Sequence, residues 1–154
     1  MKKLYEYIQK QIISDAFKRK SKHTPFRNAY AECDNNKWLI KDGVVGVGIP
    51  NIYFYLDTKS LFNEKLDKVN LSSLFEEDTY DVTLCDENMN DKYIVFKRND
   101  NGDYIYVDKK RFSLFKKDKK VELTFKTDAK NYIIYAYNHG IRMGFIMCVI
   151  NVEI

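Results

Sequence analysis

Two histidines, three cysteines and several turn aspartates are the residues of this 154-residue chain that could do covalent or metal chemistry. Their spacing argues against both. His139 stands between Asn138 and Gly140 in turn-forming sequence, and His23 sits within a run of cations. No Ser-His-Asp or Cys-His-Asn set can be assembled around either. Cys33, Cys85 and Cys148 are far apart and odd in number, which fits neither a disulfide framework nor a zinc site. They read as free thiols, and free thiols suit a reducing, cytoplasmic compartment. Asp34, Asp42 and Asp57 fall near predicted strand ends and could gather a divalent cation, as could Asp81, Asp86 and Asp91. Aspartate in a turn also has a purely conformational use, because its carboxylate bonds its own backbone. The glycines at 43, 46 and 48 lack the third glycine of a dinucleotide fingerprint and the Gly-Lys-Ser/Thr of a P-loop. Within a strand such glycines mark bulges or close backbone contacts. The expectation is a chain that is not an enzyme, with no catalytic residue, no metal and no cofactor.

Charge is the stronger signal. The net charge is +4, but its distribution matters more than its sum. Lys18, Arg19, Lys20, Lys22 and Arg27 form one cationic run without an anion. Lys109, Lys110, Arg111, Lys116, Lys117, Lys119 and Lys120 form a second, with Asp118 as its one anion. Between them, residues 76–91 carry Glu76, Glu77, Asp78, Asp81, Asp86, Glu87 and Asp91 and no cation. Closely spaced Lys and Arg on exposed helix faces make a surface that releases counterions from phosphates. With no helix-turn-helix, zinc finger or RNP motif in the chain, the contact expected is with backbone and independent of sequence. The tyrosines of 104–106 and 132–137 could stack bases, but they alternate as strand residues packing a core do.

These segments need elements to position them. Leu4, Ile8, Ile12 and Ala16 repeat every four residues, which predicts an amphipathic helix over about 2–20. Strands are expected at 28–33, 37–40 and 44–49, joined by turns at Asp34-Asn35-Asn36 and Asp42-Gly43. A further strand is expected at 52–56, and a helix capped by Asp57-Thr58 over 58–69. Leu71, Leu74 and Phe75 are expected to fold back onto the body. Strands follow at 80–85, 93–98 and 103–107, the last two joined by Asn99-Asp100-Asn101-Gly102, a hairpin signal. Asp108 is expected to cap a short helix with Phe112 and Phe115 facing inward. Strands at 121–126, 132–137 and 141–149 complete the chain, the run from Gly144 reading as a central strand. The fold class expected is α+β: one domain over 1–154, an antiparallel sheet with two or three helices on one side. No stretch approaches the roughly 20 apolar residues that a spanning helix needs, so no membrane role is expected. The high aromatic content leaves room for a homodimer interface.

Each half reads as a basic helix followed by three strands with a glycine turn, a candidate internal pseudo-twofold repeat. This order resembles a single domain of the DNA sliding clamp family. The pieces that carry the resemblance are the N-terminal helix, Lys37-Trp38-Leu39-Ile40-Lys41-Asp42-Gly43-Val44, and the closing Gly144-Phe145-Ile146-Met147-Cys148-Val149. It implies helices presenting cations to duplex DNA. A clamp subunit carries two or three such domains, and this chain has room for one. In size and composition the chain also resembles accessory proteins of phages and other mobile elements, some of which bind and block a host enzyme such as a CRISPR nuclease. Two functions are therefore expected: a non-enzymatic module contacting nucleic-acid backbone, or an inhibitor that binds a host nucleic-acid-processing protein.

Overall fold

The computed structural model describes residues 1–18, 28–67, 71–75, 78–86, 90–150 and 152. The chain is α+β and separates into two compact units, Met1–Phe75 and Glu76–Ile154.

Unit 1 opens with helix α1, Lys2–Lys18. Leu4, Ile8 and Ile12 are buried, as the four-residue repeat predicts. Three antiparallel strands follow: β1 (Ala29–Cys33), β2 (Asn36–Lys41) and β3 (Val45–Pro50). The β2–β3 turn places Asp42 and Gly43 at φ 56° and 71°, left-handed backbone that glycine adopts at no steric cost. Gly48 serves a different purpose. It pairs directly with Trp38, and a Cβ there would stand 2.9 Å from the Trp38 Cε2.

Three expectations fail in this unit. Residues 52–56 do not form a strand: Asn51–Tyr53 is a 3-10 turn, followed by unpaired chain. The reason is Gln9. Its fully buried amide accepts from the Tyr55 N–H at 2.9 Å and donates to the carbonyls of Tyr53 at 3.0 Å and Tyr5 at 3.1 Å. Those backbone groups are satisfied by a helix side chain and need no strand partner. The predicted helix over 58–69 shrinks to α2, Thr58–Leu61, capped by Asp57 as expected. Beyond it Glu64–Leu66 form β4, which pairs parallel with β1. Asn63 makes the switch. Its N–H donates to the Asn28 carbonyl at 2.7 Å, and its side-chain oxygen accepts from the Asn28 N–H at 2.9 Å. The sheet of this unit, in order β4-β1-β2-β3, is therefore mixed rather than purely antiparallel. Leu71 is buried and Phe75 packs on Trp38 with centroids 4.9 Å apart, so the connector does fold back.

Unit 2 carries β5 (Tyr80–Leu84), β6 (Tyr93–Arg98), β7 (Tyr104–Asp108), β8 (Thr124–Thr127), β9 (Ile134–Asn138) and β10 (Ile141–Ile146). Their order is β10-β9-β8-β5-β6-β7, all antiparallel. The predicted hairpin at 99–102 forms, with Gly102 at φ 78°. His139 and Gly140, at φ 51° and 77°, make the two-residue turn between β9 and β10. β8 begins at Thr124 rather than 121, and β9 begins later than expected because the buried Asp128 carboxylate accepts the N–H groups of Lys130, Asn131, Tyr132 and Ile133 at 2.6–3.1 Å. β10 ends at Ile146 rather than Val149, and the Val149 N–H donates to the Tyr106 carbonyl at 2.8 Å.

Helix α3, Lys109–Phe112, continues into a 3-10 turn, Ser113–Lys116. Each unit thus holds a helix followed by an antiparallel three-strand meander: α1-β1-β2-β3 and α3-β8-β9-β10. The helices differ in length, seventeen residues against four. None of the described helices is long and apolar enough to cross a membrane.

Candidate polyanion-binding surface and the cleft beside it

The second cationic run is built on α3 and the turns after it. Asp108 caps the helix, its carboxylate accepting from the N–H groups of Lys110 at 2.9 Å and Arg111 at 3.1 Å. Phe112, Leu114 and Phe115 are buried and anchor the segment. Three to four residues per turn then leave Lys109, Lys110, Lys116 and Lys117 on the outside, all exposed. Asp118 arranges the next turn. Its carboxylate accepts the Lys120 N–H at 3.2 Å and its carbonyl accepts the Val121 N–H at 3.2 Å, leaving Lys119 and Lys120 exposed.

Of the seven expected contact residues here, Arg111 is drawn inward. It is half-buried and its guanidinium donates to the Asp108 carboxylate at 2.9 Å. Lys109 reaches the Asn90 carbonyl at 3.3 Å. Lys116 holds its ammonium 5.6 Å from the centre of the Phe112 ring. Among the described residues no carboxylate lies within ion-pairing distance of Lys110, Lys119 or Lys120. Arg19, Lys20, Lys22 and Arg27 lie outside the described residues, and Lys18 ends α1 with its side chain undescribed.

Sequence reasoning missed a cleft of about 500 Å³ beside this surface. It exists because β5 is shared. Tyr80 and Asp81 pair with Thr127 and Lys126 on β8, whereas Val82, Thr83 and Leu84 pair with β6. Past Asp81 the strands β5 and β8 part, and the gap is walled by residues 121–125. Leu84 consequently remains 44% exposed. The floor is a cluster of phenyl rings. Phe125 lies 5.5 Å from Phe96, 5.4 Å from Phe112 and 6.4 Å from Phe115. Phe96, Phe112 and Phe115 are buried, and Phe125 is only half-buried. Lys116 and Lys119 stand on the rim with Asp118 and Glu122. The expected strand over 121–126 hid this feature, since residues 121–123 belong to no ladder.

Several of the other groups weighed for chemistry have structural partners, and His23 lies outside the described residues. Asp57 caps α2, and the Ser60 hydroxyl donates to it at 2.9 Å, which with the Lys59 N–H holds its carboxyl below the usual range. Asp42 pairs with Lys41 at 3.1 Å, and Asp81 with Lys126 at 3.5 Å. The Cys148 thiol donates to the Asn131 carbonyl at 3.3 Å, and burial raises its pKa. Among the described residues no three His, Cys, Asp or Glu side chains gather as metal ligands would. No known protein family, curated protein or solved structure matches the chain.

Proposed function

We propose that the chain is a non-enzymatic module that binds nucleic-acid backbone through the lysines of residues 109–120. The observation that carries this reading is the exposure of Lys109, Lys110, Lys116, Lys117, Lys119 and Lys120 on one capped and anchored segment. A fixed array of ammonium groups gains affinity by releasing condensed counterions, and loses less conformational entropy than a disordered tail would. The resemblance to a sliding clamp domain belongs to the same proposal, with the run from Lys18 to Arg27 as a second contact. The test is binding of labelled DNA across a salt series, by the wild type and by a Lys110→Glu/Lys120→Glu variant. Steep loss of affinity with salt, blunted in the variant, supports the reading.

A second reading is favoured by a different observation. Ile52, Tyr53 and Tyr55, at 85%, 41% and 55% exposure, put apolar and aromatic surface on one loop of unit 1. Such side chains are enriched at protein interfaces. This reading makes the chain an inhibitor of a host nucleic-acid enzyme, acting in the cytoplasm. It predicts a stoichiometric complex that survives salt concentrations at which the chain releases DNA, and that is lost on Ile52→Asp substitution.

A further inference from the structure

Resting on the polyanion reading, we propose that the ligand of unit 2 is single-stranded nucleic acid. One base enters the cleft beside Phe125 while Lys116 and Lys119 take the adjoining phosphates.

Three features point this way. The first is the cleft itself, whose volume of about 500 Å³ is that of a site for a small organic group. Its phenyl floor suits the face of a base, and Phe125 is only half-buried. The second is the position of the cations. The Lys116 ammonium is held over Phe112, and Lys119 lies on the same rim, so charge and aromatic surface adjoin. A cationic track interleaved with stacking surface is the general design of single-strand binders. Paired bases are stacked on both faces and cannot enter such a cleft, so this feature selects the unpaired strand. The third is the mixed charge of the rim. Beside Lys116 and Lys119 the rim carries the exposed Glu122. A base has amino and imino hydrogens that a carboxylate accepts.

The test uses the full chain and three labelled probes read by fluorescence anisotropy: oligothymidine of about 15 nucleotides, near the upper end of a single-module site; the same length of abasic strand; and a duplex of that length. The wild type is expected to bind oligothymidine about tenfold or more tighter than the abasic strand or the duplex. Phe125→Leu is expected to erase that preference and leave abasic binding unchanged. Phe125→Tyr, which keeps the ring, is expected to retain it and controls for any loss of packing in the phenyl cluster. Equal binding of all three probes, unaltered by either substitution, would overturn base insertion while leaving the polyanion reading standing. Binding of none of them would remove both. Binding of a fluorescent fatty acid in the absence of any strand binding would assign the cleft to lipid and likewise overturn both.

Discussion

The Lys116 ammonium lies 5.6 Å from the centre of the Phe112 ring, four residues back on the preceding helical turn. A cation held by an aromatic face keeps most of its hydrogen-bonding capacity, whereas one held by a carboxylate does not. The same segment shows the contrast. Arg111 donates to Asp108 and is half-buried, and Lys116 stays exposed at the mouth of the cleft. Charge and aromatic surface meet in unit 2 because one short segment carries both, with phenylalanines facing inward and lysines outward.

In unit 1, Gln9 fixes the path of residues 53–55. Gln9→Leu conserves volume but leaves the Tyr55 N–H and the Tyr53 carbonyl without their partner. The expected cost is about 2 kcal/mol, the penalty of stranded buried polar groups. Urea unfolding measures it, and limited proteolysis should cut first within 51–56. A variant as stable and as resistant as wild type would contradict the role given to Gln9.

Gly48→Ala tests the close approach of β3 to Trp38. The added methyl carbon would stand 2.9 Å from Cε2 of the indole, so the ring must shift. Overpacking of this kind costs about 1–3 kcal/mol. Trp38 is the chain's single tryptophan, so its fluorescence reports the displacement directly. An unchanged emission maximum with unchanged stability would mean that the contact relaxes freely.

A pH dependence follows from Arg98 and Asp100. The Arg98 guanidinium donates twice to this carboxylate, at 2.6 and 2.7 Å, while stacking 3.9 Å above the Tyr80 ring. Those hydrogen bonds hold the Asp100 carboxyl below the usual carboxylate range. A depressed folded value means that the unfolded chain binds the proton first. The contribution is therefore complete above the ordinary carboxylate pKa and is lost as pH falls through the lowered folded value. Asp100→Asn should flatten the acid limb of stability below the ordinary carboxylate pKa of about 4 and leave its shape at neutral pH unchanged. Denaturant midpoints collected across that range check this, and an acid limb of unaltered slope would oppose it.

Much of the fold was legible in the sequence, and the misses share a cause. The four-residue repeat of Leu4, Ile8 and Ile12 sets α1, and the turns at Asp42-Gly43, Gly102 and His139-Gly140 mark three of the hairpins, because left-handed backbone narrows residue choice. The lost strand at 52–56, the shortened α2 and the late start of β9 trace instead to Gln9, Asn63 and Asp128. Gln9 and Asn63 satisfy backbone groups of a distant segment and Asp128 those of the turn it opens, and local periodicity carries no record of such capture. The cationic surface was legible as composition. The cleft was not, since it arises where β5 changes partners, a property of pairing register. The Phe112 and Phe115 spacing correctly placed those rings inward without showing that Phe125 would join them.

Binding to a labelled oligonucleotide as a function of salt, wild type beside Lys110→Glu/Lys120→Glu, tests the central claim most directly. Each phosphate contact contributes roughly 0.7–0.9 to the slope of log affinity against log salt. The wild type is expected to show a slope of several units, and the variant one shallower by about 1.5 or more with affinity at least about tenfold lower. Equal affinity and equal slope in the two proteins, or no wild-type binding at about 50 mM salt, would contradict the account.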